Sequence, residues 1–377
     1  MSFPALAAAA AAAVPCSSST LEALPNELLD QIISVLATAP PSPSRLNQPP
    51  THRVTKDATT RDLKSLSLAS RSLLALVRPR LFVHACFDLR DADDFFAFVT
   101  QAHLAQNVSS VVVRGRDSPE NREDPGWWRR VLCELDPVQI TLVAPPSFIG
   151  ATLGTRIMDG HGWAFEIPLQ MIRLERDGRP GDYGSVEVLP EDCSSVLGAR
   201  AWRSFYFNES SSLKAYSHYE YFLFQVPSLF THWGSLASPP GRPSDLPESL
   251  SLNRLTTFSY TAVFPFYNHV KLVLDAVCLM TNLQSFTTQL APCLNDRVTE
   301  VEQRGSIDPS DPWMELATGY SLIAHAVRDL GSQGCLRWYK TCDYQFDALR
   351  PELSSILGDL LGGARWAHDG QGVWRKV

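Results

Sequence analysis

Charge is scarce in this chain of 377 residues: Asp, Glu, Lys and Arg together make up 19%. The formal net charge is -7, so there is no basic surplus of the kind that grips a nucleic-acid backbone. Glycine-rich phosphate loops are missing, since neither Gly-x-Gly-x-x-Gly nor Gly-x-x-x-x-Gly-Lys-Ser/Thr occurs. The hydrolase elbow Gly-x-Ser-x-Gly and the zinc-protease motif His-Glu-x-x-His are missing too. The eight cysteines include no Cys-x-x-Cys pair, and none has a histidine at zinc-ligand spacing. They read as reduced thiols in apolar surroundings, and no cofactor or metal is expected. No stretch is long and apolar enough to span a bilayer. No Lys or Arg precedes Arg45, so the alanine run at residues 5–13 lacks the basic start of a signal peptide. Residues 1–20 read as a low-complexity tail, with a targeting role as the alternative.

What the chain does have is apolar and aromatic mass. Hydrophobic residues make up 45%, with nine Trp and eighteen Phe, enough for one large core or two domains. Residues 21–36 show helical periodicity: Leu28, Leu29, Ile32, Ile33 and Leu36 recur at three- and four-residue steps, with Pro25 just inside the start. A Pro/Ser-rich stretch follows to about residue 60 and reads as a mobile insertion. Residues 62–77 are periodic again, and Pro79 is expected to stop that helix.

From residue 91 the texture changes. Strands are expected at residues 110–114, 140–143, 171–175, 204–208, 256–260, 284–288 and 336–340. Helices are expected between them at 92–105, 127–135, 269–280 and 314–330, and another at 351–361. Most strand starts lie roughly 30 residues apart, and two gaps are about 50, one of them holding the Pro/Ser-rich 235–249. Such alternation favours parallel strands in a repeat or an α/β unit.

Candidate chemistry is thin. Asp159 and His161 flank a glycine, as an acid–base pair or a metal pair would, but Gly160 and Gly162 favour a solvated turn. His218 and Glu220 sit in an aromatic run and could meet on one strand face. Arg173, Arg176 and Arg203 are weak candidates for a phosphate-reading cluster. Of the adjacent Trp127 and Trp128, one is expected to pack and the other to sit at an edge. Tyr216, Tyr219, Tyr221 and Phe222 are crowded enough to supply a contact residue or two.

One resemblance organises the N-terminal part. The run Leu21-Glu-Ala-Leu24-Pro25-Asn-Glu27-Leu28-Leu29, followed by Ile32, Ile33 and Leu36, resembles the opening of F-box domains. The run Asp62-Leu63-Lys-Ser-Leu66-Ser-Leu68-Ala-Ser70-Arg71 resembles the F-box segment that ends in a Ser-Arg pair. The stretch from Leu76 to His84 is similar to the exit sequence of fungal F-box proteins. The family usually joins its first two helices with a few residues, whereas about 24 intervene here. The remainder resembles, more loosely, the leucine-rich-repeat-like domains behind many fungal F-boxes, with a non-repetitive α/β or α+β domain as the alternative.

The resemblance implies a small all-α F-box helical module followed by an α/β leucine-rich-repeat-like solenoid of alternating strands and helices. The implied domains are residues 21–84, with the insertion at 37–60, and residues 91–377. It further implies a non-catalytic substrate adaptor of a Skp–cullin–F-box ubiquitin ligase. The contact residues for the Skp-family adaptor would be Leu24, Pro25, Leu28, Ile32, Leu63, Leu66 and Leu68. Cullin and RING subunits would join through Skp, and an unidentified protein substrate would bind the larger domain. A Skp-binding scaffold outside a ligase is the alternative. Neither nucleic acid nor membrane is an expected partner, and the expected location is cytoplasm or nucleus.

Overall fold

The computed structural model describes residues 21–36, 41, 43–52, 58–118, 121–158, 160–178, 193–236, 251–293, 296, 308 and 310–377. The tail at 1–20 and most of the Pro/Ser-rich 235–249 lie outside the described residues. The chain divides into two compact units. One comprises residues 1–38 and 57–81, the other residues 39–56 and 82–377.

The smaller unit is helical. A 3-10 turn at Leu21–Ala23 leads into α1 (Asn26–Val35). The one-turn α2 (Pro43–Leu46) falls in the larger unit, and α3 (Ala58–Ser67) and α4 (Arg71–Leu81) return to the smaller one. Ile33, Leu63 and Val77 are its buried centre, with Leu36, Leu66, Leu76 and Leu81 packed around them. Arg80 clamps Asp30 with contacts of 2.8–3.3 Å, tying α4 to α1. The single helix expected at 62–77 is two helices. The Ser70 hydroxyl accepts the Leu73 N–H at 3.1 Å, and this N-cap starts a new helix after the turn at Leu68–Ser70. Pro79 does not end α4, which runs on to Leu81. A proline this near a C-terminus removes little of the hydrogen-bond ladder.

The larger unit is built on one ten-stranded sheet. Its strands are β1 (His84–Asp88), β2 (Ser110–Arg114), β5 (Gln139–Ala144), β6 (Gln170–Glu175), β7 (Ser204–Ser211), β8 (Thr257–Val263), β9 (Ser285–Gln289), β10 (Trp338–Thr341), β11 (Trp366–His368) and β12 (Val373–Lys376). A separate hairpin pairs β3 (Asp117–Ser118) with β4 (Asn121–Arg122). The order across the sheet is β1-β2-β5-β6-β7-β8-β9-β10-β12-β11. The helices between strands are α5 (Ala92–Gln101), α6 (Trp128–Glu134), α7 (Pro146–Thr152), α8 (Gly162–Phe165), α9 (Phe230–Leu236), α10 (Tyr267–Cys278), α11 (Asp311–Gln333) and α12 (Arg350–Gly362).

Side chains of alternate parity separate the two faces of this sheet, as the two-residue period of a strand requires. Phe87, Val111, Val113, Ile140, Leu142, Ile172 and Leu174 join the helices in one continuous core. From β7 onward that face becomes an aromatic ladder. Phe205, Phe258, Phe286, Tyr339 and Trp374 are successive cross-strand partners, and neighbouring ring centroids lie 5.8 Å apart. Such pairs stabilise a sheet beyond their buried area, which is why aromatics stand here in place of leucine.

The expected architecture is corrected by this topology. The structure is an α/β fold on a mostly parallel sheet, and no leading all-α F-box module is evident in it. A leucine-rich-repeat-like solenoid needs one strand direction throughout. Here β6 runs antiparallel to both β5 and β7, and β12 runs antiparallel to β10 and β11. Strand spacing along a chain carries no information on direction, so the period alone could not exclude this. The domain limits shift as well. Residues 41 and 43–52 of the Pro/Ser-rich insertion are parts of the larger unit, and so are residues 82–84, expected at the end of the smaller module, with His84 opening the edge strand β1.

Candidate functional site

In the smaller unit the expected apolar stripe of α1 is two stripes. Leu29 and Ile33 are buried, with Leu36 beside them, while Leu28, Ile32 and Val35 follow the adjacent face outward. Leu21, Leu24, Leu28, Ile32 and Val35 are 43%, 38%, 45%, 40% and 84% exposed. Pro25 is exposed beside them, and Leu68 projects from the turn after α3. Leu66 is half-buried against the small core. Leu63 is fully buried, so it builds the unit's interior and offers nothing to a partner. Five of the seven expected contact residues therefore reach the surface.

The larger unit presents the face of its sheet away from the helices. One register row across it is Asp88, Arg114, Val143, Met171, Asn208, Thr261 and Gln289. Residues 41 and 43–52 lie along this row. Arg114 donates to the His52 carbonyl at 3.3 Å, and Arg173 from the next row donates to the Pro41 carbonyl at 2.8 Å. The Asn208 amide donates to the carbonyls of Leu46 at 2.7 Å and Gln48 at 2.9 Å. Thr261 donates to the Asn47 side chain at 3.1 Å, and Cys293 to the Asn47 carbonyl at 3.1 Å. Leu46 is buried against Val143 and Met171. Beside this strap a cavity of about 1180 Å³ opens over β7 to β10, with Tyr206, Ser259, Thr287 and Lys340 on its floor.

The cavity holds little that could make or break bonds. Its thiols are poor nucleophiles: burial pushes the Cys342 thiol up to about 11 and raises that of Cys293. Asp343, in the 3-10 turn after β10, is fully buried behind the cavity wall. Its Oδ2 accepts the N–H groups of Leu290 at 2.6 Å and Ala291 at 2.9 Å and the Tyr320 hydroxyl at 2.5 Å. Burial pushes its carboxyl up to about 7 despite those donors. A second sealed group joins β7, β8 and α10: Glu209 Oε2 meets the Tyr260 hydroxyl at 2.5 Å and His269 Nε2 at 2.8 Å. Both groups are nearly inaccessible and tie elements together. No cluster of three or more His, Cys, Asp or Glu suited to a metal ion exists among the described residues.

Arg173, Arg176 and Arg203 pair with Glu175, Asp136 and Asp177 respectively, and do not converge on an anion site. Asp159 lies outside the described residues. His161 sits in a turn, where its Nδ1 accepts the Gln225 N–H at 3.1 Å. His218 and Glu220 flank the link between two 3-10 turns, Leu213–Ser217 and Tyr221–Leu223, and are not on a strand face. Trp127 and Trp128 are both buried, so neither sits at an edge. Tyr216 is buried, while Tyr219 and Phe222 are exposed. The seven described cysteines are free thiols, and none is in the buried core.

No protein family, no curated protein and no solved structure matches the chain. The strap and the buried acids had no sequence signal. Their partners lie dozens to hundreds of residues apart, and only the sheet register brings them together. No helix among the described residues is long and apolar enough to cross a membrane.

Proposed function

We propose that this chain is a substrate-recruiting adaptor of a Skp–cullin–RING ubiquitin ligase and docks on a Skp-family protein through the smaller unit. The observation that supports this reading is the exposed apolar row of Leu21, Leu24, Leu28, Ile32 and Val35 beside a very small core. A contiguous apolar patch left open on a protein surface marks an interaction site. This one coincides with the residues that carry the resemblance to F-box sequences. Burying it against a partner removes the unfavourable hydration of five large side chains. The larger unit then holds a protein substrate in the cytoplasm or nucleus. The chain contributes proximity and no bond chemistry, because bringing a substrate lysine near a charged conjugating enzyme is itself a large rate factor.

Co-purification tests this. Wild-type protein should bring down both Skp and cullin, and the double variant Leu24→Asp/Leu28→Asp should lose both while melting at the wild-type temperature. Undiminished Skp binding by that variant refutes the docking surface. Skp without cullin points to a scaffold outside a ligase.

A further inference from the structure

The contacts around residues 41–52 have an unusual form. The strand side chains that hold the strap's backbone all donate to its main-chain carbonyls: Arg114 to His52, Arg173 to Pro41, and Asn208 to Leu46 and Gln48. The strap's own backbone hydrogen bonds, Asn47 N–H to Pro43 and Gln48 N–H to Arg45, stay within it. It is therefore not an added strand of the sheet. It is a separate peptide read across the strands, in the way a receptor reads the main chain of a ligand.

Leu46 and Asn47 seat the strap on the sheet through their side chains. Leu46 fills the apolar patch of Val143 and Met171, and Asn47 is held by Thr261 and reaches Cys342 Sγ at 3.4 Å. Pro43 opens the helical turn α2, and the prolines at 41, 43, 49 and 50 restrict the backbone and lower the entropy lost on binding. The neighbouring row continues the same polar surface as Tyr206, Ser259, Thr287 and Lys340, open in the cavity beside the strap.

We propose that this face of the sheet is a binding site for a proline-rich peptide segment of a partner protein that makes one helical turn, and that residues 41 and 43–52 are its resident occupant. A partner segment carrying a leucine followed by asparagine or another short amide would replace the strap and take over its carbonyl contacts. The proposal is independent of the ligase reading, because none of these contacts involves the smaller unit's apolar row.

The test uses the full chain and a synthetic peptide of residues 40–52 with Arg45 replaced by Gln and a fluorescent label. In one protein variant residues 41–52 are exchanged for a Gly/Ser linker of equal length. Fluorescence anisotropy should show the peptide binding this variant at least tenfold more tightly than it binds the wild type, whose site is filled. Adding Asn208→Ala to the variant, or Leu46→Asp to the peptide, should weaken binding about tenfold. Equal binding to both proteins overturns the proposal, as does no binding by a linker variant that retains the wild-type circular dichroism. Trypsin cleavage after Arg45 of the wild-type chain gives a second readout that needs no linker variant. Excess peptide should speed that cleavage several-fold by freeing the strap, and an unchanged rate overturns the proposal.

Discussion

Replacing Asp343 by asparagine should change how the stability of the larger unit depends on pH. Asp343 is fully buried, and its Oδ2 receives three donors while Oδ1 has no partner. Burial favours the neutral acid, the donors favour the carboxylate, and burial dominates, placing the folded-state value at about 7. The same side chain in an unfolded chain titrates near 3.9. Below about pH 4 both states hold the proton, so the native carboxyl carries no penalty. Between about 4 and about 7 the unfolded chain has released the proton and the native state retains it. Stability therefore falls as pH rises through this window, by up to tenfold in the folding equilibrium per pH unit. Across roughly three pH units that amounts to on the order of 4 kcal/mol. An asparagine amide in the same place would keep an acceptor oxygen for the Leu290 and Ala291 N–H groups but cannot titrate. Urea midpoints followed by tryptophan fluorescence at pH 5, 6, 7 and 8 should show the wild type losing ground to Asp343→Asn up to pH 7 and running parallel above it. A constant difference from pH 5 to 8, or a wild type that gains on the variant as pH rises, refutes the reasoning. Asp343→Ala should be harmful at every pH, because it strands two buried N–H groups at about 1–3 kcal/mol each.

In the smaller unit, Leu28→Ala and Leu63→Ala should separate docking from folding. Leu28 retains 45% of its surface for a partner, so its truncation should weaken Skp binding by about 1 kcal/mol and leave the melting temperature unchanged. Leu63 is wholly interior, and its truncation should cost about 2–5 kcal/mol of stability in a thermal or urea melt. Equal effects of both on the melt would mean that Leu28 belongs to the core. Two glycines should respond with opposite sign. A Cβ at Gly331 in α11 would lie 2.5 Å from the Trp366 ring, so Gly331→Ala should destabilise by about 1–3 kcal/mol. At Gly358 in α12 nothing lies within 4 Å, so Gly358→Ala should stabilise by about 0.5–1 kcal/mol. Chemical denaturation of both variants checks the pair.

Local structure was legible where periodicity was strong. All seven strands expected from residue 110 onward exist within a residue or two at most ends, and helices stand at 92, 128, 267, 311 and 350 near the expected starts. The edge strand His84–Asp88 has no expectation in the sequence because it starts where the F-box-like stretch ends, at His84, and the closing pair β11 and β12 has none because each is very short. The apolar positions of α1 were read correctly as apolar. Which of them turn inward depends on what packs against the helix, and neighbours three and four residues apart look alike in a sequence. Leu63 shows the same ambiguity from the other side, since it was assigned to the surface and is core.

By itself the sequence determined the alternation of strands and helices, the apolar stock of the core, and the two N-terminal segments that carry the F-box resemblance. These depend on neighbours within a few residues, which periodicity and caps report. Tertiary structure alone decided the direction of β6, the split of α1 into buried and exposed faces, and the placement of residues 41 and 43–52 along one row of the sheet. Those features arise from contacts between residues far apart in the chain. Strand register turned a proline-rich insertion, which by composition alone resembles a loose loop, into a ligand of its own protein.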